Sequence, residues 1–337
     1  SLTTAGTLTL TSSGNIGDSG GSQGLDLDVG TLSITGTGSG NVIVTEASTL
    51  ALGAITVGGT FSGTATTGDI TDSGALAITG ASTFIIGANG ANILLDSSGN
   101  VFGDSVELKA ATGGNQTFGN IHFVDSGAIH FATSAASDGD LFINGSADGA
   151  VGGTLTVTAT TGDITDTEDL AVTGASSFTT SATNATITLD AGTFNLAGGV
   201  TLSTTGTTGH ATIDNHTNAL EIDPSSVGGN LTLVSGHVNG ITDDGDVTVG
   251  GNFTATTNAN SGAISLGTML VDGTVSLNTN GTGDATIVND NGLTFTTSDV
   301  NGDLSATATA GNITQSGNLE VDYIFLGAWN FKKEIFR

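Results

Sequence analysis

The sequence predicts an all-β chain wound as a β-solenoid of stacked coils. Three observations predict it: very short stretches in which apolar residues alternate with Thr or Ser, clusters of Gly, Asn and Asp between those stretches, and a longer repeat laid over that rhythm. Period-two alternation marks a strand with one buried face, and β-branched Thr on the other face suits the same pleat. Leu8-Thr9-Leu10, Leu32-Ser33-Ile34, Ile55-Thr56-Val57, Ile187-Thr188-Leu189, Leu231-Thr232-Leu233, Val247-Thr248-Val249 and Val275-Ser276-Leu277 are such stretches. Between strands come Thr67-Gly68-Asp69, Gly113-Gly114-Asn115, Asn280-Gly281 and Asp290-Asn291-Gly292. These residue types accept positive φ and mark tight turns.

The longer repeat is plainest where residues 58–84, GGTFSGTATTGDITDSGALAITGASTF, recur as GGTLTVTATTGDITDTEDLAVTGASSF at 152–178, an offset of 94. Further copies are GGNLTLVSGHVNGITDDGDVTVGGNF at 228–253 and GDLSATATAGNITQSGNLEVD at 302–322, with a degenerate first copy from Gly6 to Gly20. Unequal spacings around one motif imply units of several coils, with whole coils or loops gained and lost. Strands this short make no stable sheet alone. Stacked as coils, each pairs with the one below at roughly 4.8 Å, and backbone donors and acceptors find partners along the axis. At about 20–25 residues per coil the chain makes roughly 15 coils. The solenoid is expected over 1–322, with 323–337 as a distinct C-terminal segment.

Composition bounds the function. Charged residues are 11% of the chain, 32 acidic against 4 basic, for a net charge of −28. An ordinary domain carries about 25% charged residues of both signs. Hydrophobic content of 36% and a mean hydropathy of +0.19 supply a long, thin core and argue against disorder. Before Phe331 the only basic residue is Lys109. A phosphate backbone needs a basic patch, so nucleic acid is excluded as a partner, and an anionic membrane surface is disfavoured on the same ground. No apolar run is long enough for a transmembrane helix. Ser1-Leu2-Thr3-Thr4 shows no signal-peptide pattern, which leaves a removed signal or an internal piece of something larger. The absence of Cys suits a large exported bacterial protein that crosses an outer membrane unfolded.

The motif GGxLTxTAxxGxITxxGxLxVxGxxxF, carried by the copies at 58–84, 152–178, 228–253 and 302–322, resembles the repeats of filamentous-haemagglutinin-like large exoproteins, which are two-partner-secreted bacterial adhesins. The resemblance covers roughly residues 6–322. It implies a right-handed parallel β-helix, export through an outer-membrane pore, and a role at the cell surface in adhesion or biofilm.

Solenoids of this kind also include polysaccharide lyases and hydrolases. A lyase acting on uronates needs Arg or Lys as base and charge clamp, and this body offers only Lys109. A hydrolase needs two carboxylates about 5–10 Å apart, which Asp243, Asp244 and Asp246 could supply. The same residues read as a polar turn, where another copy has Asp72-Ser73-Gly74, and that reading is preferred. No Trp or Tyr is available in the body to line a sugar groove. His122, His130, His210, His216 and His237 form no H-x-H or H-x-x-x-H pair, and zinc lacks its usual Cys partners. No catalytic, cofactor or metal residue is therefore assigned. Calcium stays open: carboxylates are plentiful, but turns such as Asp138-Gly139-Asp140 are single, and the tandem calcium β-roll signature is not met.

Residues 323–337, YIFLGAWNFKKEIFR, hold the only Trp, the only Tyr and three of the four basic residues. Tyr323, Phe325, Trp329, Phe331, Lys332, Lys333 and Phe336 are the candidate functional residues. They read as a hydrophobic cap, as a docking segment for a neighbouring acidic subunit, or as a scar at the end of the gene. The chain is expected to be a non-enzymatic stalk or body of a secreted bacterial surface adhesin that meets a host or neighbouring cell. The alternative is a subunit that self-associates end to end into an extracellular filament, sheath or surface layer.

Overall fold

In a computed structural model, which describes residues 1–17, 24–36, 38–111, 116–144 and 150–328, the alternating stretches are strands and the Gly, Asn and Asp clusters are corners. No helix occurs among the described residues, so none is long and apolar enough to cross a membrane. The chain is a right-handed parallel β-helix of about 14 turns. It divides into two compact units, Ser1–Ala175 and Ser176–Arg337.

In the first unit one parallel ladder places Val42 beside Phe61, Phe61 beside Ser82 and Ser82 beside Val106. A second runs through Leu50, Ile70, Ile93, Ile121 and Leu155. A third joins Ile34 to Ile55 and Ile55 to Leu76. The second unit repeats the plan. One ladder runs Ile187, Ala211, Leu231, Phe253, Val275, and another runs Leu220, Ile241, Ile264, Ala285, Leu304, Ile324. Hydrogen-bonded partners on adjacent coils are typically 19 to 24 residues apart. The interval widens to 34 between Asn120 and Thr154 and to 37 between Glu107 and Asn144, where the chain between Phe131 and Val151 carries extra residues.

Alternation settles the core. Phe61–Ala65 buries Phe61, Gly63 and Ala65 and turns Ser62 and Thr64 outward. Inside the first unit Phe61, Phe84, Phe102 and Phe123 form a spine with successive ring centroids 5.4, 6.0 and 5.2 Å apart. Those separations lie in the favourable range for aromatic pairs.

At the corners, backbone groups would lose their ladder partners, and side chains replace them. His210 Nδ1 accepts the N–H of Asn230 at 2.8 Å, Asn230 Oδ1 accepts that of Asn252 at 2.8 Å, and Asn252 Oδ1 accepts that of Thr274 at 2.9 Å. The first unit carries two such runs. Asp69, Asn92 and Asn120 accept in turn from Asn92, Asn120 and Thr154, and Asn15 and Asn41 accept from Asn41 and Thr60. Each run stops at Thr, whose hydroxyl donates back to Asn120 or Asn252 in the longer two. The residue before each corner acceptor is commonly Gly, and its N–H bonds the Gly carbonyl one coil back, as from Gly251 to Gly229 at 2.9 Å. Close approach requires Gly here: a Cβ on Gly251 would lie 2.4 Å from Asn230 Oδ1.

Buried polar side chains bracket other breaks in the ladders. Asn289 Oδ1 accepts from Val271 N, while its Nδ2 donates to the carbonyls of Val271 and Gly292. Asn215 does the same for Leu196, and Asn100 Oδ1 accepts from Leu76 N. Two acids hold equivalent posts. Glu46 is fully buried and accepts from Val29 N, and Asp125 accepts from Phe102 N at 3.0 Å. Burial pushes the Asp125 carboxyl above its ordinary value, although backbone N–H groups of Phe102, Ser126 and Gly127 favour its charged form. Satisfying such groups matters because an unpaired buried donor or acceptor costs about 1–3 kcal/mol.

The corner geometry makes a contrast between two glycines. Gly251→Ala is expected to destabilise the protein by about 1–3 kcal/mol, as overpacking does. Gly267→Ala, where a Cβ meets only Asp243 Oδ1 at 3.8 Å, should be neutral or slightly stabilising. Urea denaturation of both variants checks this, and equal midpoints would contradict the corner account.

Candidate functional site

The first candidate residues lie on the strand Leu319–Ala328, which pairs in parallel with Ser298–Ala308. Tyr323 stands beside Asp303, Ile324 beside Leu304 and Phe325 beside Ser305. The boundary expected at 322/323 thus falls inside a strand, because Val321, Ile324 and Leu326 keep the solenoid's apolar spacing. Tyr323 and Phe325 are 71% and 65% exposed. Phe325 continues an outward row of hydroxyl residues, Thr242, Ser265, Thr286 and Ser305. It replaces a small polar group with a large apolar one. Trp329, Phe331, Lys332, Lys333 and Phe336 lie outside the described residues.

The acidic turn resolves into separate roles. Asp243 accepts from the N–H groups of Gly267 and Thr268, both at 2.8 Å, and from Thr268 Oγ1 at 2.9 Å. That saturates it as a corner bracket. Asp246 supplies its backbone carbonyl to Ser225 N. Asp244 instead meets Glu221 and Asp223, with carboxylate oxygens of all three within 4.8 Å of one another. Register makes this trio: Leu220 pairs with Ile241 and Ile222 with Asp243, so Asp244 lands one coil beyond Asp223. Three oxygen donors at this spacing match the ligand type of a hard cation such as calcium. Glu221 and Asp223 were not singled out from the sequence. The stretch LEID at 220–223 gains meaning only when stacked on ITDD at 241–244.

Asp140 Oδ2 accepts from Ala136 N and Ser137 N, closing its own turn. The histidines are engaged separately. His122 faces Asp96 at 3.3 Å, and His130 bonds the hydroxyls of Thr165 and Thr167. His210 is a corner acceptor. His216 Nε2 lies 2.7 Å from the carbonyl of Gly192, and His237 Nδ1 accepts from Asn239 N.

Four stretches, 39–109, 118–203, 208–278 and 282–331, match the model of a family described as repeats of unknown function (DUF5649). The chain belongs to the DUF5649 repeat family. No curated protein and no solved structure matches it. The DUF5649 matches begin at corners of this kind. Each match opens one residue ahead of a Gly and a polar corner residue: Gly40-Asn41, Gly119-Asn120, Gly209-His210 and Gly283-Asp284. The DUF5649 repeat is therefore phased to the corner ladder.

The trio sets up a charge test. Asp223→Asn is expected to raise the denaturation midpoint in chelator by relieving carboxylate repulsion. A calcium ion held by the trio should stabilise the parent protein, by about 2.7 kcal/mol at a hundredfold excess over Kd, and so raise its midpoint, with a smaller rise in the variant. A parent melt that is the same in calcium and in chelator dismisses the cation.

Proposed function

We propose that this DUF5649 solenoid is the non-catalytic stalk or body of a secreted adhesin on a bacterial surface, presented to a host or neighbouring cell. The observation that carries the reading is what the coils turn outward: rows of Thr and Ser on a chain with 32 acids and a single basic residue before Phe331. The coils turn a hydroxylated, acidic surface to solvent. Such a surface repels nucleic acid and anionic lipid. The motif's resemblance to filamentous-haemagglutinin-like exoproteins supports export to the same place.

A second reading is favoured by Tyr323 and Phe325. Two large exposed aromatics on one strand suit contact with another copy, which would make the chain a self-associating subunit of an extracellular filament, sheath or surface layer.

The two readings separate in one set of measurements. Protease treatment of intact producing cells is expected to remove the protein, and deletion of its gene is expected to reduce attachment or biofilm severalfold. Protection from protease together with unchanged attachment would overturn both readings. On the stalk reading, the parent protein and a variant with Tyr323 and Phe325 replaced by Ser should both scatter light as monomers. A parent that scatters as an assembly, and a variant that does not, would select the filament.

A further inference from the structure

In the first unit the body's only lysine sits opposite an asparagine. Val106–Ala110 and Asp140–Asn144 pair in parallel, with Lys109 and Asn144 as register partners. Adjacent strands are about 4.8 Å apart, so the two side chains leave neighbouring backbones on the same face. Glu107, two residues before Lys109 on that face, joins them. Its Oε1 accepts a hydrogen bond from Asn144 Nδ2 at 2.8 Å and lies 3.7 Å from Lys109 Nζ. One carboxylate oxygen thus contacts both an amine and the amide nitrogen of a carboxamide.

We propose that Lys109 and Asn144 form an intramolecular isopeptide cross-link, with Glu107 as the proton carrier. The amine is a competent nucleophile once it loses its proton, and Glu107 Oε1 is placed to take that proton as general base and return it as general acid. Lys109 Nζ adds to Asn144 Cγ, forming the new C–N bond. Glu107 passes the proton from Nζ to Nδ2, the Cγ–Nδ2 bond breaks, and ammonia leaves. A lysine ammonium and a carboxamide become a secondary amide and an ammonium ion. Atoms and charge balance, and no oxidant or co-reactant is needed. In a chain with no Cys, this staple would tie Asp140–Asn144, which follows the extra residues after Phe131, back to Val106–Ala110. A covalent closure of that loop restricts the unfolded chain as a disulfide does.

The sequence supplies a simple readout, because Lys109 is the only tryptic site before Lys332. The full-length protein, denatured and treated with trypsin, is expected to stay uncut at Lys109. Its intact mass should fall below the sequence mass by one ammonia, and digestion with a protease that cuts at acidic residues, Asp138 and Asp140 among them, should leave residues 109 and 144 in one branched peptide. Glu107→Gln, Asn144→Ala and Lys109→Arg should each restore the full mass and cutting at 109, with a circular dichroism spectrum like the parent's. A parent protein of full sequence mass that is cut at Lys109 overturns the proposal. So does ammonia loss with two linear peptides, the mark of a succinimide at Asn144-Gly145. A cross-link that persists in Glu107→Gln overturns the assigned role of Glu107.

Discussion

The structure depends on one hydrogen bond, from a backbone N–H at a corner to a side-chain acceptor one coil back. Strands satisfy themselves by pairing, but a coil must also turn, and at the turns the ladder has gaps. Asn fills them because its carbonyl oxygen reaches the next coil's N–H, as Asn230 does for Asn252. Gly comes first because anything larger would strike that oxygen. From this follow the Gly-Asn and Gly-Thr pairs that open so many strands, the end of each run at Thr, and the phase at which the DUF5649 matches begin. Inward, the alternating Val, Ile, Leu and Phe supply the burial that drives folding. The corners decide whether one coil lands squarely on the last.

The fold was legible because its signals are local and repeated. Period-two alternation and Gly-containing turns recur in every copy, and a stacked architecture follows from strands too short to stand alone. Topological detail was less legible. The near-identical copies at 58–84 and 152–178 sit on different ladders. Phe61 pairs with Val42 and Ser82, whereas Leu155 pairs with Ile121. Coil lengths vary, so a fixed stretch of sequence slips from one side of the solenoid to another. Similar words therefore occupy different sides, and only the register reveals it.

Chemistry was least legible where it depends on residues brought together from adjacent coils. Nothing nearby in sequence marks Glu46 and Asp125 as acceptors for Val29 and Phe102. Glu221, Asp223 and Asp244 become neighbours only through the pairing of Leu220–Ile222 with Ile241–Asp243. Lys109 stood out by its solitude, but Asn144 did not. The aromatic residues near the C-terminus were visible at once by composition. What the sequence missed is that Tyr323 and Phe325 belong to a paired strand that continues the solenoid. A repetitive chain hides its special positions among many equivalents, and they emerge where one equivalent departs from its row.

The central claim is that corner side chains hold each coil to the next, and amide hydrogen exchange tests it most directly. In Asn230→Ala the account predicts faster exchange at the Asn252 amide, which loses its acceptor. The strand amides of Leu231–Ser235 should keep their protection. Unchanged exchange at Asn252, with the protein still folded, would contradict the account.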